Sequence, residues 1–114
     1  INQLLIMTPQ DFFKNDLFAE RAGIVLMEVR EGYSKARLEI KKEHLNAGNR
    51  TQGGAIFTLA DLALAAAANS HGQLAFSLSS NITFLRASGI GDTLYAEARE
   101  RYRPEHRILS DRYH

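Results

Sequence analysis

From Thr51 to His71 the chain reads Gln-Gly-Gly, then alanines and leucines interrupted by one acid, Asp61. Ala55, Ala60, Ala63, Ala65, Ala66, Ala67 and Ala68 are strong helix formers with almost no bulk. Ile56, Phe57, Leu59, Leu62 and Leu64 supply the larger anchors. A helix this apolar all round is one buried on most sides. Its small side chains let sheet backbone come close, so the segment predicts a central helix wrapped by a curved sheet. The helix is expected to open at Gln52-Gly53-Gly54 with Thr51 as N-cap, to run through Asn69, and to end at His71-Gly72.

The flanking sequence supplies that sheet. Thr8-Pro9-Gln10-Asp11 is a helix start, with Thr8 as cap and Pro9 at the first helical position. This first helix is expected to bury Phe12, Phe13, Leu17 and Phe18, to break at Asn15-Asp16 and to stop near Gly23. Residues 24–29 read as a strand and Glu31-Gly32 as a turn. Ala36, Leu38 and Ile40 then alternate with Lys35, Arg37, Glu39 and Lys41, the clearest half-buried strand in the chain. Residues 42–50 are polar and irregular, a loop. After the long helix, strands are predicted at 74–85, at 93–101 and from Ile108 onward. A turn at Ser88-Gly89-Ile90-Gly91-Asp92 and a hairpin loop at 103–107 separate them. Helix, hairpin, long helix and three strands make an α+β domain with mostly antiparallel pairing.

Bulk properties narrow the function classes. At 114 residues and 45% hydrophobic content the chain is one domain with a real core. Fourteen basic and thirteen acidic residues leave a net charge of +1, so no global field selects nucleic acid or membrane. Without cysteine there is no thiolate nucleophile and no Cys-based zinc site. His44, His71, His106 and His114 form no i, i+3 or i, i+4 pair, so no metal site is expected, and no cofactor is implied. The apolar start is short and lacks the marks of a targeting signal, and the long helix is too short to span a bilayer. A cytoplasmic, soluble protein is the expectation.

Two features could carry chemistry. Asp61 stands in the most apolar helix of the chain, and a buried carboxylate there needs either a partner or a task. Its bland reading is an acid paired with an arginine or a backbone amide at an interface. Gly53-Gly54 puts side-chain-free amides at a helix N-terminus, where they can approach a carbonyl oxygen or an oxyanion. Its bland reading is a tight turn. A nucleotide-binding loop is disfavoured, because neither the spaced glycines nor a following Lys-Ser/Thr is present. Gly53 and Asp61 are eight residues apart, ~12 Å along one helix. One reacting carbonyl carbon cannot lie ~3 Å from both. If both serve one site, the acid comes from a second copy, which requires at least a homodimer with composite sites. Asn46 could donate an amide to the same carbonyl or to a water, unless it is an ordinary turn residue. Ser77 shares a strand face with Ser79 and Asn81 and could hold a water beside Asp61, unless it is simply solvated. No serine sits in a nucleophile-elbow context.

Leu45-Asn46-Ala47-Gly48 followed by Gln52-Gly53-Gly54-Ala55-Ile56-Phe57-Thr58-Leu59-Ala60-Asp61 resembles the phenylacetate-degradation (PaaI-like) branch of hot-dog-fold acyl-CoA thioesterases. Asn81-Ile82-Thr83-Phe84-Leu85-Arg86 and Gly91-Asp92-Thr93-Leu94 continue the match. The resemblance implies a hot-dog fold over residues 1–114 and hydrolysis of an acyl-CoA thioester. It implies Asp61 as general base or nucleophile, the Gly53 amide polarising the carbonyl with Asn46 in support, and Ser77 assisting the acid or its water. CoA would lie at the subunit surface with the acyl group in an inter-subunit pocket. Gln52, Gly54 and Arg86 fall at substrate-binding positions, and Arg50 is a further candidate phosphate contact. The family has His where this chain has Gln52, and a complete member continues for about a strand and a half beyond His114. A homodimer or homotetramer is expected.

The leading expectation is thus a thioesterase. A hot-dog dehydratase would want a site histidine, which Gln52 replaces. The alternatives outside catalysis are an acyl-CoA binding or sensing module and a structural α+β dimer with an interface Asp.

Overall fold

A computed structural model describes residues 8–102 and 108–113, with side chains as far as residue 101. The expected loop at 103–107 lies outside the described residues. The chain begins with two short helices split at Asn15-Asp16, where a break is expected. Thr8 accepts from the Asp11 amide at 3.1 Å to start α1, Pro9–Phe13. Asp16 accepts from the Ala19 amide at 3.1 Å to start α2, Leu17–Ala22, which Gly23 closes in the left-handed conformation at φ 91°. The buried face differs from expectation. Phe12 and Phe13 are half-buried, but Leu17 and Phe18 are exposed, at 60% and 73%. The second cap restarts the helix in a new phase, which turns Ala19 rather than its larger neighbours inward.

β1, Val25–Arg30, and β2, Tyr33–Glu39, form the hairpin, turning at Gly32 with φ 72°. β2 also pairs with β3, Thr93–Tyr102, and β3 with β4, Ile108–Tyr113, giving an antiparallel sheet in the order β1-β2-β3-β4. The β2–β3 register sets Ala36 opposite Ala96, Ser34 opposite Ala98 and Leu38 opposite Leu94. One face of the sheet is therefore lined mainly by small side chains, and α3, Gly53–Ala68, lies on it. Leu59, Leu62, Ala63 and Ala67 of the helix join Ala36, Leu38, Ile40, Ala96 and Ala98 in the core. The approach is close enough for the Ser34 hydroxyl to donate to the Ala63 carbonyl. This is the close packing that the alanine content predicts.

Two expectations need correction. The N-cap of α3 is Gln52, one residue later than Thr51, which is buried instead. The strand expected at 74–85 has no pairing among the described residues. Alternation gives a segment its pattern, but a strand also needs a neighbour offering a free hydrogen-bonding edge. Among the described residues the segment pairs with neither of the two edge strands, β1 and β4. Leu74, Phe76, Leu78, Phe84 and Leu85 are left exposed. Among the described residues no helix is long and apolar enough to cross a membrane.

Candidate functional site

The loop that feeds α3 is rigid because hydrogen bonds fix it from several directions. A 3-10 turn at Lys42–His44 buries His44, whose Nε2–H donates to the Ala22 carbonyl while Nδ1 accepts from the Lys41 amide at 2.9 Å. With both ring nitrogens engaged, His44 acts as a scaffold, and its own carbonyl accepts the Gln52 amide at 2.8 Å. Leu45 and Thr51 form an isolated antiparallel bridge. Between them Asn46 organises the turn. Its amide donates to the Arg50 carbonyl at 2.7 Å, and its side-chain oxygen accepts from Gly48 at 2.9 Å and from Arg50 at 3.1 Å. The exposed Asn46 carboxamide NH2 is left as the group that can donate outward. On the far side the Thr51 amide donates to the Ser88 carbonyl at 2.8 Å, and the Ser88 hydroxyl to Thr51 Oγ1 at 2.7 Å.

The paired glycines that follow make room for different neighbours. The Gln52 side-chain oxygen accepts from the Gly54 amide, and a Cβ on Gly54 would lie 2.7 Å from that oxygen. Gly54 thus makes room for the cap. A Cβ on Gly53 would lie 3.1 Å from Cζ of Phe84, so Gly53 makes room for an aromatic ring two residues before Arg86. Among the described residues nothing accepts the Gly53 N–H. That amide stands at the positive end of a sixteen-residue helix.

Asp61 lies two turns further along, on a different footing from the one expected. Gly54, Phe57, Asp61 and, partly, Thr58 and Ala65 form one exposed stripe at helical spacing, while the rest of α3 beyond its first turn is buried. Asp61 is therefore exposed within the single chain and is not a buried acid. The helix is unbroken from Gly53 to Ala68, so the ~12 Å separation of the amide and the carboxylate stands. The structure thus brings Gln52, Gly53 and Gly54 together at one helix end, next to the loop turned by Asn46. Asp61 sits apart from them on the same chain. Ser77 is exposed with its hydroxyl 3.2 Å from that of Ser80, and Arg50 and Arg86 are exposed. A cavity of ≈ 290 Å³ lies elsewhere, among α1, α2, β1 and Leu62, and none of the candidate residues lines it.

Sequence reasoning did not find His44, Phe84 or Ser88 as parts of this scaffold. His44 looked like one more scattered histidine. The Ser88–Thr51 contact joins residues 37 apart, and no local pattern announces it.

Residues 48–103 match the family model described as "Thioesterase superfamily". The chain is 44% identical over 99 residues to a protein of Archaeoglobus fulgidus named "Putative esterase", covering 87% of this chain. It is 37% identical over 90 residues to the acyl-coenzyme A thioesterase PaaI of Escherichia coli, covering 79% of this chain. The chain spans 64% of the length of each of these curated relatives. Its fold matches the solved structure of the E. coli PaaI protein from the phenylacetic acid degradation operon with a TM-score of 0.74 and 35% identity, covering 82% of this chain and 71% of that one.

Proposed function

The chain belongs to the PaaI type of the hot-dog thioesterase superfamily, and on that premise we propose that it hydrolyses acyl-CoA thioesters to a free acid and CoA. The observation that carries the reading is the Gly53 amide without an acceptor, at the start of a helix whose one charged side chain, Asp61, stands on its exposed stripe. The thioester oxygen accepts from the Gly53 N–H and from the Asn46 carboxamide, where negative charge builds as the carbonyl carbon is attacked. Asp61 takes a proton from water, and the water oxygen attacks that carbon. The C–S bond then breaks, and the proton held by Asp61 passes to the departing CoA sulfur. As a nucleophile Asp61 would instead form a mixed anhydride that water opens, with the same products. Ser77 would orient the acid or its water. Gln52 and Gly54 would shape the carbonyl end of the site, and Arg86, with Arg50, would meet CoA phosphates.

With Gly53 and Asp61 serving one thioester, the ~12 Å between them on one helix calls for composite sites, the amide from one copy and the acid from another. The exposed stripe around Asp61 and the exposed apolar residues at 74–85 support a homo-oligomer, since such surface is what a second copy would cover.

A thiol reagent can follow CoA release without protein background, because the chain has no cysteine. Wild type should turn over part of a panel of aromatic, short-chain and long-chain acyl-CoAs. Asp61→Ala should lose roughly 100-fold or more in kcat and remain folded. Unchanged turnover in that variant removes Asp61 from the mechanism, and binding of an acyl-CoA without turnover by wild type would make the chain a binding module. Composite sites are tested by mixing Asp61→Ala with Gly53→Val after unfolding and refolding together. Each is inactive alone, but a mixed dimer holds one intact pair, so roughly a quarter of wild-type activity should return. No recovery from a mixture that refolds as fully as wild type would overturn the composite site.

A further inference from the structure

Gln52 has a second consequence that its capping role alone does not require. A helix start exposes several amides that a carbonyl oxygen could choose among. Here the Gln52 oxygen takes the Gly54 amide, and the hydrogen bond from the Gln52 amide to the His44 carbonyl, 2.8 Å, holds the capping residue in place. The 2.7 Å approach to a built Cβ at Gly54 shows how tightly the side chain folds over that residue. The neighbouring Gly53 amide keeps its proton available. The capping group is also uncharged. Aspartate is among the preferred residues at such a position because its charge favours the positive end of the helix. That same charge would cancel the potential which an oxyanion at Gly53 uses.

We infer that Gln52 is a positioning residue for thioester hydrolysis: it occupies the Gly54 amide with a neutral oxygen, so that the carbonyl oxygen of an acyl-CoA is directed to Gly53 at an undiminished positive helix end. The inference rests on the reading that Gly53 receives the thioester oxygen. It separates two properties that a cap normally joins, because the better cap is the worse residue for catalysis.

The test compares Gln52→Glu and Gln52→Ala with wild type and Asp61→Asn, measuring thermal unfolding together with kcat and KM on an acyl-CoA that wild type hydrolyses. Gln52→Glu keeps an acceptor for Gly54 and should melt at or above the wild-type temperature. Its kcat should nevertheless fall on the order of tenfold or more, with KM changed by less than about threefold, because the carboxylate opposes charge formed only in the transition state. Gln52→Ala should melt lower than wild type and lose less in kcat than Gln52→Glu. A purely structural cap gives the opposite order, with Gln52→Glu active and Gln52→Ala the poorer enzyme. Wild-type kcat in Gln52→Glu, with Asp61→Asn inactive, overturns this inference and leaves the thioesterase reading in place. Absence of hydrolysis by wild type, or full activity in Asp61→Asn, overturns the reading and the inference with it.

Discussion

The two ends of α3 meet the same problem and answer it differently. At the N-terminal end the Gln52 side chain takes the Gly54 amide and the Gly53 amide is left open. At the C-terminal end side chains close the structure. Asn69, 5% exposed, donates to the carbonyls of Ala65 at 2.8 Å and Ala75 at 3.1 Å and accepts from the Ala75 amide at 2.8 Å. The Ser70 hydroxyl donates to the Ala67 carbonyl at 2.7 Å and accepts the Gly32 amide at 2.8 Å, tying the helix to the β1–β2 turn. His71 then bridges outward, with Nε2 donating to Glu100 on β3 and Nδ1 3.4 Å from a Glu31 oxygen. Helix ends cost free energy when their polar groups stay unpaired, so a fold without another use for them closes both. The open end is the one at which the proposed thioester site would take its carbonyl oxygen.

That contrast predicts that changes at the closed end alter stability and leave kcat alone. The largest effect should come from Asn69→Ala, which removes three side-chain hydrogen bonds in a buried place and should cost about 3 kcal/mol in urea unfolding. His71→Ala should follow at about 2 kcal/mol, since it removes a hydrogen bond to a carboxylate whose side chain is only 9% exposed. Both variants should hydrolyse acyl-CoA with wild-type kcat at temperatures where they are folded. A fall of tenfold in kcat for either one would break the comparison, because the closed end would then belong to the catalytic apparatus as well.

What could be read from the sequence follows the same division between local and distant interactions. The cap at Thr8, the break at Asn15-Asp16, the stop at Gly23 and the buried series Ala36, Leu38 and Ile40 are settled within a few residues, and all were legible. The helix N-cap was misplaced by one because Thr is the more favoured capping residue, yet Thr51 is held by Ser88 from 37 residues away. The residues at 74–85 alternate as a strand does, but pairing depends on which sheet edges are free, and no local pattern carries that information. Asp61 was expected to be buried because its helix is apolar all round. Alanines constrain burial weakly, so the exposed stripe through Phe57, Asp61 and Ala65 became visible only once the sheet had taken the opposite face. The candidate residues themselves were named from the sequence. Their division of labour, with one glycine making room for Gln52 and the other for Phe84, required the distances.

The smallest effect tests whether the closed end is also chemically quiet. Tyr33, next to Gly32 in the β1–β2 turn, is buried, and its hydroxyl donates to Glu97 at 2.6 Å. Burial, followed by the hydrogen bond and the negative charge of Glu97, raises its pKa above the ordinary value of 10.0, while Arg99 pulls the other way. A folded-state pKa above the unfolded one means that the neutral phenol favours folding. This contribution is complete below about pH 10 and is lost as pH rises through the folded value. Tyr33→Phe should therefore cost about 1 kcal/mol between pH 7 and 9, measured by urea unfolding. The difference from wild type should shrink above about pH 10, where the wild-type phenol ionises. A gap that instead widens with pH would show that Tyr33 favours folding as the phenolate, reversing the sign assigned to its surroundings. Between pH 6 and 9 the variant's kcat should track wild type, since Tyr33 lies at the end of α3 away from Gly53; a displaced pH–rate profile would join the two ends that the hydrogen bonds keep apart.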